Sequence, residues 1–547
     1  MKVARWPRFR AGAALLALLL VLSACTGGRG GGQGGGKTDP ATTLTIVAGS
    51  EQRSVLEQVV APWCDQQGYH CTWKLLGSVD QARLVQNKST DHDAYWFASS
   101  VFSQLGNSEG QLTQVKPMFL TPVVYAGFKP VMEKLGMVGR DVTAAEIITS
   151  VEKKTVSTWA TNPTQSNSGA TTLFSFLNHF AGNPPGQALT QQQLNSDKVV
   201  TGMQTFIRSI DRTPPSTGTM MDQCLENADI CQTMFTYEDL VIEKNKELVD
   251  QGRDPLYVVY PRGAMAISES PLGFSDHGQE QVGAKKEIFT KLQSYLLSDQ
   301  EARAKLLSLG RRPAGGVGLS LSNPDTSVFN PDWGIKANLR EQGVTYPAGP
   351  VIEQALDMYH TRFRKPVHIF YCLDGSGSMK ENNGWNGVEE AAGALFDPVQ
   401  ARRNLLQTGP EDLTGVAVFN GGIAAGPWSV KGNQDKDLLG LREKIVAHEP
   451  GGGTDMYSCL ERAAQELASS PRTLKKLIVV MSDGKSGDRH RSRALSTVTS
   501  LGTPVISIAF GEGADPGQLE EIAKETGGSF VQKDDMVQAL REAAGYK

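Results

Sequence analysis

The chain has 547 residues, 54 basic against 58 acidic side chains, and a hydrophobic content of 39 %. That length exceeds one ordinary core and calls for roughly two to four domains. The near-even charge gives no reason to expect a nucleic-acid partner, and the apolar content is ordinary for a soluble globular protein.

In chain order, Lys2, Arg5, Arg8 and Arg10 precede the apolar segment Ala11–Leu22. This segment is too short to span a bilayer comfortably and reads as a secretory signal. It ends in Leu22-Ser23-Ala24-Cys25, which resembles the bacterial lipobox. The resemblance implies that residues 1–25 are a lipoprotein signal, that Cys25 is acylated, and that the mature protein is anchored to the cell membrane outside the cytoplasm. No other stretch is long and apolar enough for a transmembrane helix. Gly27–Gly36 is nearly all glycine, so residues 26–42 read as a flexible tether. Gly31–Thr38 fits the Walker A pattern, but no strand precedes it and Pro40 stands where a helix should begin. Nucleotide binding is therefore rejected there.

Of seven cysteines, Cys25 is assigned to the lipid and six remain for an oxidising compartment. Cys64 with Cys71, and Cys224 with Cys231, are close enough to close small local loops. Cys372 and Cys459 are either a third pair or two small buried hydrophobes.

From Thr43 the pattern is α/β. Strand Leu44–Ala48 ends at Gly49-Ser50-Glu51 and is followed by a helix at Val55–Trp63. Strand Cys71–Leu75 gives way to Val79–Gln86, and Ala94–Ser100 reads as a strand ending in the hydroxyls of Ser99 and Ser100. After strand Thr155–Trp159 a polar loop, Thr161–Thr171, leads into a helix at Thr172–Phe180. Met234–Glu238, strand Pro255–Tyr260 and helices at Phe289–Ser298 and Glu301–Leu309 follow. Alternating strands and helices imply a mostly parallel sheet with ligands at the strands' carboxyl ends. The hydroxyls, amide and helix-start N–H groups of the Thr161–Thr171 loop suit a polar or anionic ligand; ordinary helix capping uses the same residues.

This layout over residues 43–322 resembles the bacterial extracellular solute-binding proteins of the two-lobed, phosphate- or molybdate-receptor type. The resemblance implies two α/β lobes joined by crossover strands, with a small polar or anionic solute in the cleft. Its candidate cleft residues are Ser50, Ser99, Ser100, Asn167, Ser168, Thr171 and Tyr237. No strongly basic clamp is visible in this half, so the solute's charge stays open; alternatively the fold serves only as a scaffold.

Residues 323–365 hold an irregular, proline-punctuated connector and a junction helix at Val351–Phe363. A second α/β series fills residues 366–547. Strand His368–Leu373 delivers Asp374-Gly375-Ser376-Gly377-Ser378, and a helix follows near Gly387–Leu395. Pro450–Asp455 opens the helix Met456–Leu467, and the apolar strand Leu477–Met481 ends at Ser482-Asp483-Gly484. Carboxylates and hydroxyls at strand ends suit a hard divalent cation. These motifs, in this order, resemble a von Willebrand factor type A domain, a doubly wound, Rossmann-like fold with a metal-ion-dependent adhesion site. The resemblance implies that Ser376, Ser378 and Thr454 bind the cation directly, while Asp374 and Asp483 hold its waters. Mg²⁺ is the first expectation, with Mn²⁺ or Ca²⁺ as alternatives. One departure is the polar insertion Lys380–Asn386 between the metal loop and its helix.

No histidine pair, nucleophile elbow or comparable catalytic pattern appears, and His448 reads as a lone surface histidine. The expectation is a non-enzymatic envelope lipoprotein. Its metal domain would dock a carboxylate of a protein partner, and its first domain would bind a solute or act as a scaffold. The alternative is the solute receptor of an ABC-type transport system with an accessory metal domain.

Overall fold

The computed structural model describes residues 42–276, 282–314, 319–380, 384–483, 485–509, 516–532 and 536–545. The expected signal segment, Cys25, the glycine run Gly27–Gly36 and residues 381–383 of the insertion lie outside the described residues.

The first half folds into two α/β lobes. The first lobe has a five-stranded sheet in the order His70–Leu75, Thr43–Ala48, Ala94–Trp96, Pro271–Ser275, Leu112–Pro117. The first three strands are parallel, and Pro271–Ser275 runs antiparallel to both its neighbours. The second lobe is built around the long strand Phe119–Phe128, which pairs with Ala266–Ser268, Thr233–Tyr237, Leu256–Val259 and Arg312–Pro313. The chain leaves the first lobe between Leu112–Pro117 and Phe119–Phe128. It returns between Ala266–Ser268 and Pro271–Ser275. The two crossings are tied together by the Met118 N–H, which donates to the Ser270 carbonyl at 3.2 Å.

Two adjacent arginines lock this half. Arg311 donates to the Glu51 carbonyl of the first lobe at 2.8 Å and pairs with Asp239 and Glu243 of the second. Arg312 grips Glu238 through two nitrogens, at 2.7 and 2.9 Å, and donates to the Lys336 and Ala337 carbonyls at 2.7 and 3.1 Å. It therefore fastens the irregular connector to the second lobe. Both guanidiniums are fully buried, so each depends on its partners for the hydration it has lost.

The C-terminal domain is a six-stranded sheet in the order Ile423–Lys431, Leu413–Phe419, Val367–Asp374, Lys475–Ser482, Val505–Ala509, Ser529–Gln532. All pairings are parallel except that of the edge strand Ile423–Lys431. Val367–Asp374 is buried at every residue, as a central strand covered by helices on both faces must be. One face packs under Gly384–Phe396, Asp435–Val446 and Met536–Ala544, the other under Met456–Ala468, Arg491–Ser500 and Gly517–Thr526. From the first strand the chain winds to one side and then crosses back to the other. The switch point lies beside the carboxyl end of Val367–Asp374, where open α/β sheets place their ligands.

Several expected boundaries shift. The helix after the cleft loop begins at Asn167, not Thr172, because buried side-chain bonds and the Ala170-to-Ser166 backbone bond draw the polar residues into its first turn. The helix after the metal loop begins at Gly384, not near Gly387. Strand Thr158–Trp159 is shorter than expected.

Arg312→Ala strands the buried Glu238 carboxylate. The expected loss is about 3–5 kcal/mol in urea unfolding of the oxidised protein; a loss below about 1 kcal/mol contradicts a structural role for this pair.

Candidate functional site

The carboxyl ends of two neighbouring strands, Val367–Asp374 and Lys475–Ser482, supply four of the metal-face residues, and the loop before Met456–Ala468 supplies Thr454. Asp374 is fully buried. Its Oδ1 accepts from the Ser376 N–H at 2.9 Å, and its Oδ2 accepts from the Ser482 hydroxyl at 2.5 Å. The Ser376 and Ser378 hydroxyls lie 3.1 Å apart, and Ser378 donates to Asp483 Oδ1 at 3.0 Å. Burial grades from Asp374 and Ser376 inside, through half-buried Asp483, to exposed Ser378.

The glycine-rich loop is knitted to this cluster by its backbone. The Gly377 N–H donates to the Gly452 carbonyl at 3.0 Å, and the Gly451 N–H to the Gly375 carbonyl at 2.8 Å. Gly452 has φ +87°, a left-handed conformation that glycine adopts without strain. Thr454 is half-buried at the loop's end. Its neighbour Asp455 caps the helix Met456–Ala468 through the Ser458 N–H at 3.1 Å and meets His490 Nδ1 at 2.6 Å. Asn420, which the sequence reading missed, joins the loops. Its side chain donates to the Gly451 carbonyl at 2.9 Å, and its own carbonyl accepts from the Asp455 N–H at 2.6 Å.

His448 is not a free surface histidine. It is half-buried, 5.4 Å from the Trp385 ring, and a Cβ on Gly375 would fall 2.8 Å from its Nε2 and 2.5 Å from Val418. Only glycine fits there. Cys372, two residues before Asp374, is bonded to Cys459 on the helix that follows Thr454. This disulfide fastens together the two elements that carry the metal loops.

These donors fit a hard divalent cation: two carboxylates and two hydroxyls are linked side by side, and a third hydroxyl stands on the adjoining loop. Burial raises the Asp374 and Asp483 carboxyls above the usual range. A cation bound beside them would favour their ionised forms.

The cleft residues separate into groups. Asn167 accepts from Ser99 at 2.7 Å and donates to Thr171 at 3.1 Å and to the Tyr237 hydroxyl at 3.0 Å. Ser168 bonds Thr161 and Thr217 at 2.7 and 2.8 Å, and the Ser100 N–H donates to Glu269 at 3.2 Å. Ser50 and Asn167 line a cavity of about 210 Å³ with Glu51, Asp80, Gln165 and Arg541. Glu51 and Asp80 follow strand ends and were legible by the same logic as Ser50.

Arg541 was not legible. It lies on the last helix of the C-terminal domain, is 2 % exposed, pairs with Asp80 at 2.5 Å and donates to the Thr164 carbonyl at 3.0 Å. A basic group thus does reach the cleft, supplied by the other domain. The Asn162 amide and the Thr213 hydroxyl hold the Ala544 and Gly545 carbonyls at 3.4 and 3.1 Å.

The von Willebrand factor type A domain family matches residues 368–544. The C-terminal domain is a von Willebrand factor type A domain. Among solved structures, the von Willebrand factor type A protein of Catenulispora acidiphila is 19 % identical, covering 33 % of this chain and 42 % of that one, at a TM-score of 0.29. This chain thus spans less than half of that protein. The sulfate-binding protein SubI of Mycobacterium tuberculosis H37Rv is 14 % identical, over 50 % of this chain and 88 % of that one, at 0.39. The ferric binding protein of Campylobacter jejuni is 12 % identical, over 58 % and 98 %, at 0.42. No curated protein matches the sequence. Among the described residues, no helix is long and apolar enough to cross a membrane.

Two outcomes follow. The Cys372–Cys459 bridge spans 87 residues, so replacing both cysteines by alanine is expected to cost on the order of 4–5 kcal/mol in denaturant unfolding. Separately, burial lifts the Glu51 carboxyl from 4.5 to about 7. A raised folded value means the folded state binds the extra proton, so stability is lost as pH climbs through that window. Glu51→Gln is expected to flatten this decline and to exceed the wild type by on the order of 1–3 kcal/mol at about pH 8. Parallel pH–stability curves contradict the assignment.

Proposed function

We propose that the chain is an extracytoplasmic binding protein, held to the membrane by a lipid on Cys25. Its von Willebrand factor type A domain docks an acidic group of a protein partner through a divalent cation. The observation that carries this reading is the continuous row Asp374, Ser376, Ser378, Asp483, anchored in the core at Asp374 and open to solvent at Ser378. Ser376, Ser378 and Thr454 would offer neutral hydroxyls, while Asp374 and Asp483 would hold the ion's waters and balance its charge. Mg²⁺ suits this oxygen set best, with Mn²⁺ or Ca²⁺ accommodated by the same atoms. When bound, the cation supplies an under-neutralised position able to accept a partner's carboxylate. This reading assigns the metal face a binding role without catalysis.

A second reading is favoured by Arg541. The cavity lined by Ser50, Glu51, Asp80, Asn167 and this guanidinium would take a small polar solute, as in the receptor of an ABC-type transport system. The solute would then touch both domains.

The test is capture of envelope proteins on immobilised full-length chain in Mg²⁺, in EDTA, and with Asp374→Ala. Retention of a partner only by the wild type in Mg²⁺, with a loss of at least about tenfold in the other two lanes, is the expected result. Identical partners in all three lanes, or none, overturn the adhesion reading.

A further inference from the structure

The strand Lys475–Ser482 ends at the metal face and begins at a second cavity, of about 350 Å³, between the two domains. Arg364, Lys365, Arg472 and Lys475 line it, with Asp211 and Thr213 of the N-terminal domain. Four cations therefore face one carboxylate, and that carboxylate is already engaged. Asp211 takes the Lys154 ammonium at 2.7 Å on one oxygen and the Thr158 N–H at 2.8 Å on the other.

Asp412, which pairs with Arg364, is equally committed. It accepts from both terminal nitrogens of Arg364, from the Val367 N–H at 2.8 Å and from the Gly409 N–H at 2.7 Å. The third guanidinium nitrogen, Arg364 Nε, is buried without a hydrogen-bond acceptor on a side chain only 4 % exposed. An unpartnered buried donor beside clustered cations favours an acceptor, and an anionic one most.

The ammonium groups register that deficit. Burial first, then Lys365, Arg212 and Arg364, hold Lys475 down at about 7. Lys365 is lowered by burial and by Lys154.

We propose that this junction cavity binds a doubly charged tetrahedral oxyanion of phosphate or sulfate type, either free or as the head of a phosphomonoester. Lys365, Arg472 and Lys475 supply the charge, and Arg364, whose Nε is unpartnered, completes the basic lining. The site is independent of the metal face and the solute cleft. A dianion seated there relieves repulsion among cations at the seam and so cements the two domains.

The test is calorimetric titration of the full-length chain with sulfate, which stays doubly charged across neutral pH. Saturable binding is expected, weakened at least about tenfold by Lys475→Met and restored by Lys475→Arg. The charged or titratable groups facing Lys475 are Lys365, Arg364 and Tyr359 of the junction, Arg472 of its own loop, and Arg212 and Asp211 of the first domain. Wild-type affinity is expected to fall from about pH 6 to about pH 8, and the Lys475→Arg variant to hold steady. Parallel titrations with inorganic phosphate and glycerol phosphate identify the source: tighter binding of the first supports the free ion, and of the second a phosphomonoester. No sulfate binding by the wild type, or unchanged binding by Lys475→Met, overturns the proposal.

Discussion

Asp374 is the fixed point of the metal face. Its carboxylate sits at the end of a strand buried along its whole length, with one oxygen tied to the Ser376 N–H and the other to the Ser482 hydroxyl. A buried carboxylate needs such partners, because each unmet acceptor costs free energy. One donor comes from the loop that presents Ser376 and Ser378, the other from the last residue of the strand that leads to Asp483. Satisfying Asp374 therefore orients the remaining oxygens. The Cys372–Cys459 bridge and the loop-to-loop backbone bonds add Thr454 to the same frame.

The domains share buried polar chemistry. Arg541 reaches from the last helix of the von Willebrand factor type A domain to Asp80 and Thr164 of the first domain. That helix packs against Gly384–Phe396, which follows the metal loop. A continuous packed route thus joins the metal face to the cleft. Contiguity alone is not coupling; coupling requires two discrete arrangements with different ligand affinities. At the far end of the sheet, clustered cations occupy the same seam.

Much of the C-terminal fold was readable because buried parallel strands are continuous apolar runs, as in Leu477–Met481, and because the glycine-flanked oxygens mark where such strands stop. The edge strand Ile423–Lys431 was not readable, since its residues are largely exposed and break the pattern. In the first half, Asn167–Thr171 was taken for loop because polar residues favour caps over helix interiors; buried side-chain bonds reversed that preference. Ser100 and Ser168 had the right residue type at the right place, yet their polar groups are engaged with the protein's own groups. Arg541 left no local trace, since its partner Asp80 lies 461 residues away. Arg364 and Lys475 looked like ordinary charges until the fold placed them at one seam.

The central claim is that Asp374, Ser376, Ser378, Thr454 and Asp483 form one divalent-cation site. The most direct measurement is Mn²⁺ binding to the full-length chain by electron paramagnetic resonance, with competition by Mg²⁺. The account predicts a saturable site displaced by Mg²⁺ and lost in Asp374→Ala and in the Ser376→Ala, Ser378→Ala double variant. Mn²⁺ binding of equal strength in the wild type and both variants would contradict it.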